Sequence, residues 1–397
     1  MPHSDPTLGS RPVAADNNAS IALHPAIRVV DAQPAAHEQR VGTGPSCSVS
    51  GRHSQAGESR HIHFASPIED APVESFETVP LPVDPDYPVL LTVPGLERYQ
   101  LVKKIGEGAF SQVYHAIDLM SREHVAIKVI EKSHLNSIQR ASVQKEASIH
   151  ARLHHPNVIA LRQHFETERN YVFVLELATG GELFHRIVEL TYFSEDLARH
   201  VIVQVAKGIH YLHHQVGVVH RDIKPENLLF TPIPFSKPRK TVPTGRAQGE
   251  EKLDEGPFVP GVGGGGIGQV KIADFGLSKV VWTDGTKTPC GTAGYTAPET
   301  IQGQSYTQSV DLWALGCVLY TCLCGFPPFH DEDQIVLTQK VARGEWTFLQ
   351  PWWNNISPSA KHLVSRLLEI RPERRYTIDQ FFSHPWCVYT VPWLHDK

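Results

Sequence analysis

The reading of this chain turns on one stretch, Val219-His220-Arg221-Asp222-Ile223-Lys224-Pro225-Glu226-Asn227-Leu228-Leu229. Asp222 can accept or orient the proton of a hydroxyl group, and Asn227 offers an amide oxygen to a metal ion. Downstream, Ala273-Asp274-Phe275-Gly276 supplies a second carboxylate, suited to holding Mg²⁺ against phosphate oxygens. Ala297-Pro298-Glu299 begins 23 positions after Asp274.

Upstream, Ile105-Gly106-Glu107-Gly108-Ala109-Phe110-Ser111-Gln112-Val113 reads as a glycine-rich turn between two strands. Such a turn lets the backbone close over phosphates where a Cβ would obstruct it. Ser111 stands where the third glycine of GxGxxG is expected, so this turn by itself is equally compatible with a plain hairpin. Lys128 ends the apolar strand Val125-Ala126-Ile127-Lys128. A lysine there is ordinarily a snorkelling edge residue; one strand after a glycine turn, its ammonium can reach the α- and β-phosphates. Glu146 on the next helical stretch is its natural partner, or else an exposed helix glutamate. Phosphoryl transfer asks a protein to hold the γ-phosphate in line, screen its charge and orient the attacking hydroxyl. These motifs supply each requirement in order along the chain, and coincidence does not account for five of them.

Around this set, YQLVKKIGEGAF, SQVYHAIDL, HVAIKVIE and YVFVLEL have strand lengths and patterns. Helical periodicity dominates after Gly181, with Leu197, Val201, Val205 and Ile209 on one face. The expected fold is α+β in two lobes, a small strand-rich lobe before a larger helical one, with ligand space between. Residues 1–95, rich in Pro, Ser, Ala and His, are expected to be a disordered tail, and His61 and His63 within it to be solvated. Residues 231–268, with their prolines, mixed charge and GVGGGGIG, read as a low-complexity insertion, flexible and solvated, in a hairpin of the large lobe. Residues 387–397 form a short C-terminal tail.

A net charge of −5 and no excess of positive charge give no reason to expect nucleic acid or an acidic membrane as partner. Six cysteines without a CxxC pair suit a reduced intracellular protein, and MPHSDPTLGSRPVAAD lacks the apolar core of a signal peptide. The apolar run Leu312–Leu323 is too short to span a bilayer and reads as a buried helix. A cytoplasmic protein, with the nucleus as a further compartment, is expected.

Residues 99–386 resemble a eukaryotic serine/threonine protein kinase domain of the calmodulin-dependent-kinase group. LTVPGLERYQL, ELFHRIVELTYFSEDL, the GVGGGGIG insertion and TPCGTAGYTAPE are similar to fungal stress-responsive kinases that act downstream of mitogen-activated protein kinases. The resemblance implies a monomer that uses ATP and Mg²⁺ on protein substrates. Asp222, Lys224, Lys128 and Glu146 would be catalytic, and Asn227 and Asp274 would hold metal. The glycine turn from Ile105 to Ser111, with Val113, Ala126, Leu229 and the hinge residues Glu176 and Ala178, would bind ATP, with Leu175 as gatekeeper. Arg221 would meet a phosphate on the activation segment, and Glu299 would pair with Arg375. Lys224 and Thr292 are the serine/threonine-type residues beside the catalytic aspartate.

Glu182 and Glu226 are expected to bind an arginine three residues before the target hydroxyl, with Thr292 completing the substrate-binding set. Thr321 replaces the acid that relatives use for a second arginine, so one arginine should matter. Thr288, followed by Pro289, is the expected activating phosphosite for an upstream mitogen-activated protein kinase, and Ser66-Pro67 is a second site of that type. His150 stands where the group places Met or Leu in a stack with Leu161, Phe275 and His220, either loosening the active arrangement or packing neutral. VYTVPWLHDK is neither basic nor long enough to be a calmodulin-binding segment, so direct calmodulin control is not expected. The alternative, a pseudokinase scaffold, would lack Lys128, Asp222 or Asp274, and all three are present.

Overall fold

The computed structural model describes residues 93–108, 110–235, 241–243, 251–280 and 293–388; Ser66, Ala109, Thr288 and Thr292 lie outside them. The small lobe is an antiparallel sheet of β1 (Tyr99–Glu107), β2 (Ser111–Asp118), β3 (His124–Glu131), β4 (Leu161–Glu166) and β5 (Asn170–Glu176) in the order β1-β2-β3-β5-β4. One helix, α1 (Ser137–His150), precedes β4, and a reciprocal Asn136–Gln139 capping box starts it. Strand β3 explains how the lobe is layered. Val125, Ile127 and Val129 join the apolar cluster on one face, while Ile130, two positions from Lys128, packs with Val143 and Ala147 of α1 on the other. The period of two thereby turns Lys128 toward α1.

The outer face of the sheet is covered by two residues at the tail boundary, of which Val93 falls within the expected tail. Val93 and Leu96 are buried against Tyr99, Tyr114 and Val125. The disorder expected up to residue 95 is therefore wrong for Val93, which supplies apolar cover that the sheet needs.

The large lobe contains α2 (Leu183–Leu190) and α3 (Glu195–His210), the latter capped by Ser194. A π-helical turn, Tyr211–Val216, continues α3 and leads to β6 (Val218–Val219). Next come β7 (Leu228–Pro232), β8 (Thr241–Pro243), β9 (Glu251–Leu253), β10 (Ile267–Ile272) and β11 (Lys279–Val280). Strands β7 and β10 pair antiparallel, as do β6 and β11, so the segments around Asp222 and Asp274 are held side by side. The remaining helices are α4 (Pro298–Ile301), α5 (Ser309–Cys324), α6 (Gln334–Arg343), α7 (Pro358–Leu367) and α8 (Ile378–Phe382). Helix α5 is buried from Val310 to Cys324 and is the centre of the core, as its apolar run requires. Among the described residues no helix is long and apolar enough to cross a membrane.

The insertion departs from its expected flexibility. Lys252 places its ammonium 2.8 Å from the Tyr192 carbonyl and over the Tyr192 ring, and the Ser194 N–H donates to the Glu255 carboxylate at 3.0 Å. Phe258 meets His200 edge to face. Gly265 has φ +57°, and a Cβ there would lie 2.8 Å from Leu197 and 2.9 Å from Leu190. Glycine is used at this position for close packing in a left-handed backbone, the opposite of a flexible linker. Within the insertion, the segment that carries Lys252, Glu255, Phe258 and Gly265 is a fitted cover over the junction of α2 and α3.

Candidate active site

The site assembles where β3, α1 and the two loops flanking the β7–β10 pair converge. Lys128 Nζ lies 2.9 Å from Glu146 Oε1 and 3.8 Å from Asp274 Oδ1. Burial opposes the charge on Lys128, but the two carboxylates outweigh it and hold its pKa above the ordinary lysine value. In return, the Lys128 charge is the main cause of the lowered pKa of Asp274, which stays ionised. The exposed-glutamate reading of Glu146 is excluded, since this residue is buried.

On the large lobe, Asp222 Oδ2 accepts hydrogen bonds from Asn227 Nδ2 at 2.8 Å and Lys224 Nζ at 2.9 Å. Asn227 Nδ2 also donates to the Asp222 carbonyl at 2.8 Å. With its nitrogen committed to Asp222, Asn227 presents Oδ1 as the atom for a metal. An amide oxygen and an ionised Asp274 carboxylate are hard donors that fit Mg²⁺.

Arg221 and Asp274 both adopt left-handed backbone, with φ of 74° and 64°. Each such residue costs roughly 1–2 kcal/mol, so the surroundings must hold it. Asp311, fully buried at the start of α5, accepts the backbone N–H groups of His220 and Arg221 at 2.8 Å each. It also takes a 2.7 Å hydrogen bond from His213 Nε2. Although burial alone would raise its pKa, hydrogen bonding and charge from His213 leave Asp311 with a lowered one. The Gly276 N–H bonds Asp274 Oδ1 at 3.1 Å. Sequence reasoning missed Asp311; its signal was a solitary acid opening an otherwise apolar helix, which must find donors when buried.

Between these halves stand the residues expected to bind the nucleotide. Gly108 N–H donates to Ser111 O at 2.8 Å, so the glycine turn closes as a hairpin with Ser111 in place of glycine. Val113 and Leu229 are half-buried, and Ala126 and Ala178 are buried. The Glu176 side chain points to the large lobe, binding Lys271 at 2.9 Å and the Ala160 N–H at 3.2 Å. Any adenine contact by Glu176 therefore falls to its backbone. Exposed Ile105, Glu107 and Phe110 flank the turn, together with half-buried Gly106.

His150, Phe275 and His220 form a column, with ring centroids 4.8 Å apart for the first pair and 5.0 Å for the second. His150 Nε2 meets the Ile159 carbonyl at 2.8 Å, and burial is the main cause that pushes its pKa down to about 4. His150 packs as a neutral donor.

Glu226 is mostly buried, and its Oε2 has no hydrogen-bond partner among the described residues. Burial raises its pKa, and the neighbouring charges of Glu182 and Asp222 add to that shift. Glu182, the residue before α2, is half-buried and has His185 Nδ1 at 3.5 Å. Thr321 is buried in α5, where its hydroxyl bonds the Cys317 carbonyl. Arg375 makes a buried two-point pair with Glu299 at 2.7 and 2.9 Å. Arg221 donates from Nε to the Leu277 carbonyl at 2.5 Å and from Nη1 to the Tyr306 hydroxyl at 2.8 Å.

A two-lobed fold with this lysine–glutamate pair, the loop aspartate Asp222 and the second aspartate Asp274 defines a protein kinase. Residues 99–387 match the protein kinase domain family, and the chain belongs to it. Serine/threonine-protein kinase srk1 of Schizosaccharomyces pombe is 56% identical over 74% of this chain and 52% of its own length. From the same organism, calcium/calmodulin-dependent protein kinase type II is 56% identical over 74% of this chain and 58% of its own length. Serine/threonine-protein kinase RCK2 of Saccharomyces cerevisiae is 50% identical over 72% of this chain and 52% of its own. The chain thus spans little more than half the length of these relatives.

Proposed function

We propose that the protein transfers the γ-phosphate of ATP to serine or threonine hydroxyls of protein substrates, preferring an arginine three residues before the acceptor. The observation that carries the reading is the simultaneous presence of the Lys128–Glu146 pair and the Asp222–Lys224–Asn227 cluster, each with contacts of 2.8–2.9 Å. Lys128 fixes the nucleotide phosphates, and Asp222 orients the acceptor hydroxyl and takes its proton as the new O–P bond forms and the bond to ADP breaks. Lys224, already beside Asp222, screens the charge gathering on the transferred group. Mg²⁺ held by Asp274 and Asn227 would neutralise phosphate charge. Support for the arginine preference comes from Glu226, with a buried carboxylate oxygen that has no partner among the described residues, beside a second acid, Glu182. A guanidinium satisfies such a pair through charge-assisted hydrogen bonds.

Regulation is proposed from sequence. Thr288 precedes Pro289, as a proline-directed kinase of the mitogen-activated type requires, and its phosphate would recruit Arg221. The proposal extends to a role in a stress-signalling pathway, in a cytoplasmic protein with the nucleus as a further compartment. The test is a degenerate peptide array read by radiolabelled ATP, before and after treatment with an active mitogen-activated protein kinase, with calcium–calmodulin as a separate arm. Selection of arginine at the third position before Ser or Thr is expected, rising after the kinase treatment and not with calmodulin. No arginine preference, or activation by calmodulin alone, contradicts the respective part.

A further inference from the structure

We propose that His210, His214 and Asp379 form a Zn²⁺ site that fastens α8 to the end of α3. His210 closes α3 and His214 lies one turn on, in the π-helical turn Tyr211–Val216. Side chains four apart on a helix stand on one face, and here the two imidazoles stack with centroids 4.6 Å apart and planes 24° from parallel. Asp379 arrives from a distant part of the chain as the second residue of α8, with its Oδ1 3.9 Å from His210 Nε2. The three donor atoms all lie within 4.8 Å of one another.

The chemistry of the set selects the ion. Two imidazole nitrogens and one carboxylate oxygen suit Zn²⁺, whereas Mg²⁺ and Ca²⁺ call for all-oxygen shells. Bonds of about 2.0–2.2 Å in a tetrahedron put ligand atoms roughly 3.3 Å apart, so the set must close by ~1.5 Å at most. Exposed His214 and Asp379 can swing that far by side-chain rotation. His210 is the fixed member, half-buried with the Phe382 ring edge-on at 6.1 Å. A water completes the tetrahedron on the open side. Helices α3 and α8 contact one another directly, so the ion would bridge two elements already in place. None of the three residues belongs to the kinase site, and the ion's role would be structural.

The test is calorimetric titration of the full chain with Zn²⁺ alone, paired with thermal melting and the visible spectrum of a Co²⁺ substitute. Because His61 and His63 offer competing imidazoles, the His61→Ala/His63→Ala variant is titrated beside the wild type. One site that survives in this variant, a Zn²⁺-dependent rise in Tm and a tetrahedral Co²⁺ spectrum are expected. His214→Ala should weaken the site at least tenfold and remove the Tm response, and Asp379→Asn should do so in lesser degree. Both positions are exposed, and melting without metal checks that the variants fold. The proposal is overturned if His214→Ala binds Zn²⁺ as the wild type does, or if all binding is lost with His61 and His63.

Discussion

The Nε2 atom of His150 lies 2.8 Å from the carbonyl oxygen of Ile159, which fixes the ring as a neutral N–H donor in the column it shares with Phe275 and His220. Its pKa falls from an ordinary 6.5 to about 4, chiefly through burial, with the Lys128 charge adding to the effect. The unfolded chain therefore binds the proton more readily than the folded one between those values. Stability from this residue is full above about pH 6.5 and is lost as the pH falls toward 4, by about 2 kcal/mol between pH 7.5 and pH 5.

His150→Leu should remove that dependence. At pH 7.5 the variant should be about 1 kcal/mol less stable, because the Ile159 carbonyl loses its donor. At pH 5 it should equal or exceed the wild type. Urea unfolding at the two pH values measures both, and the same difference at each would show that His150 does not titrate in this way.

On the proposed arginine preference, Glu226 should make that selection pH-dependent. Its raised pKa means that acidification neutralises it sooner than an ordinary carboxylate. The advantage in kcat/KM of an arginine-bearing peptide over its alanine counterpart should shrink as the pH falls from 7.5 toward 5.5. Glu226→Gln should reduce that advantage roughly tenfold or more at pH 7.5, as expected for a lost charged hydrogen bond. A preference that survives in Glu226→Gln assigns the arginine elsewhere.

The fitted insertion gives a stability prediction. Gly265→Val puts a branched side chain into left-handed backbone and against Leu190 and Leu197, and should cost about 3 kcal/mol. Gly261 also has positive φ, +79°, but faces open space. Gly261→Asn should cost less than about 1 kcal/mol. Thermal melting of the two variants decides whether the loop is packed; equal, small losses would restore the flexible reading.

Much of the active site was legible because its chemistry is written in short linear motifs. Lys128 and Glu146 come together because strand alternation turns one toward the helix that carries the other. What escaped sequence reasoning was set by distant contacts. His150 could be read two ways until the Ile159 carbonyl supplied its partner. GVGGGGIG has the composition of a linker, and only the approach of Leu190, Leu197 and Glu255 shows why small residues are needed. Asp311 resembled an ordinary first-turn acid, and its three donors come from residues 90 to 98 positions earlier. Val93 looked like tail because an isolated apolar residue has no period to read.

The most direct test of the kinase reading is single-turnover phosphate transfer to an arginine-bearing serine peptide by wild type and Asp222→Asn, after the same activating treatment. Asparagine keeps the size of the side chain and its neighbours Lys224 and Asn227, and removes the proton acceptor. The account predicts a rate for Asp222→Asn lower by roughly 10²–10⁴-fold, with nucleotide affinity unchanged. A transfer rate within about threefold of wild type would contradict it, because Asp222 would then not be the group that prepares the hydroxyl for attack.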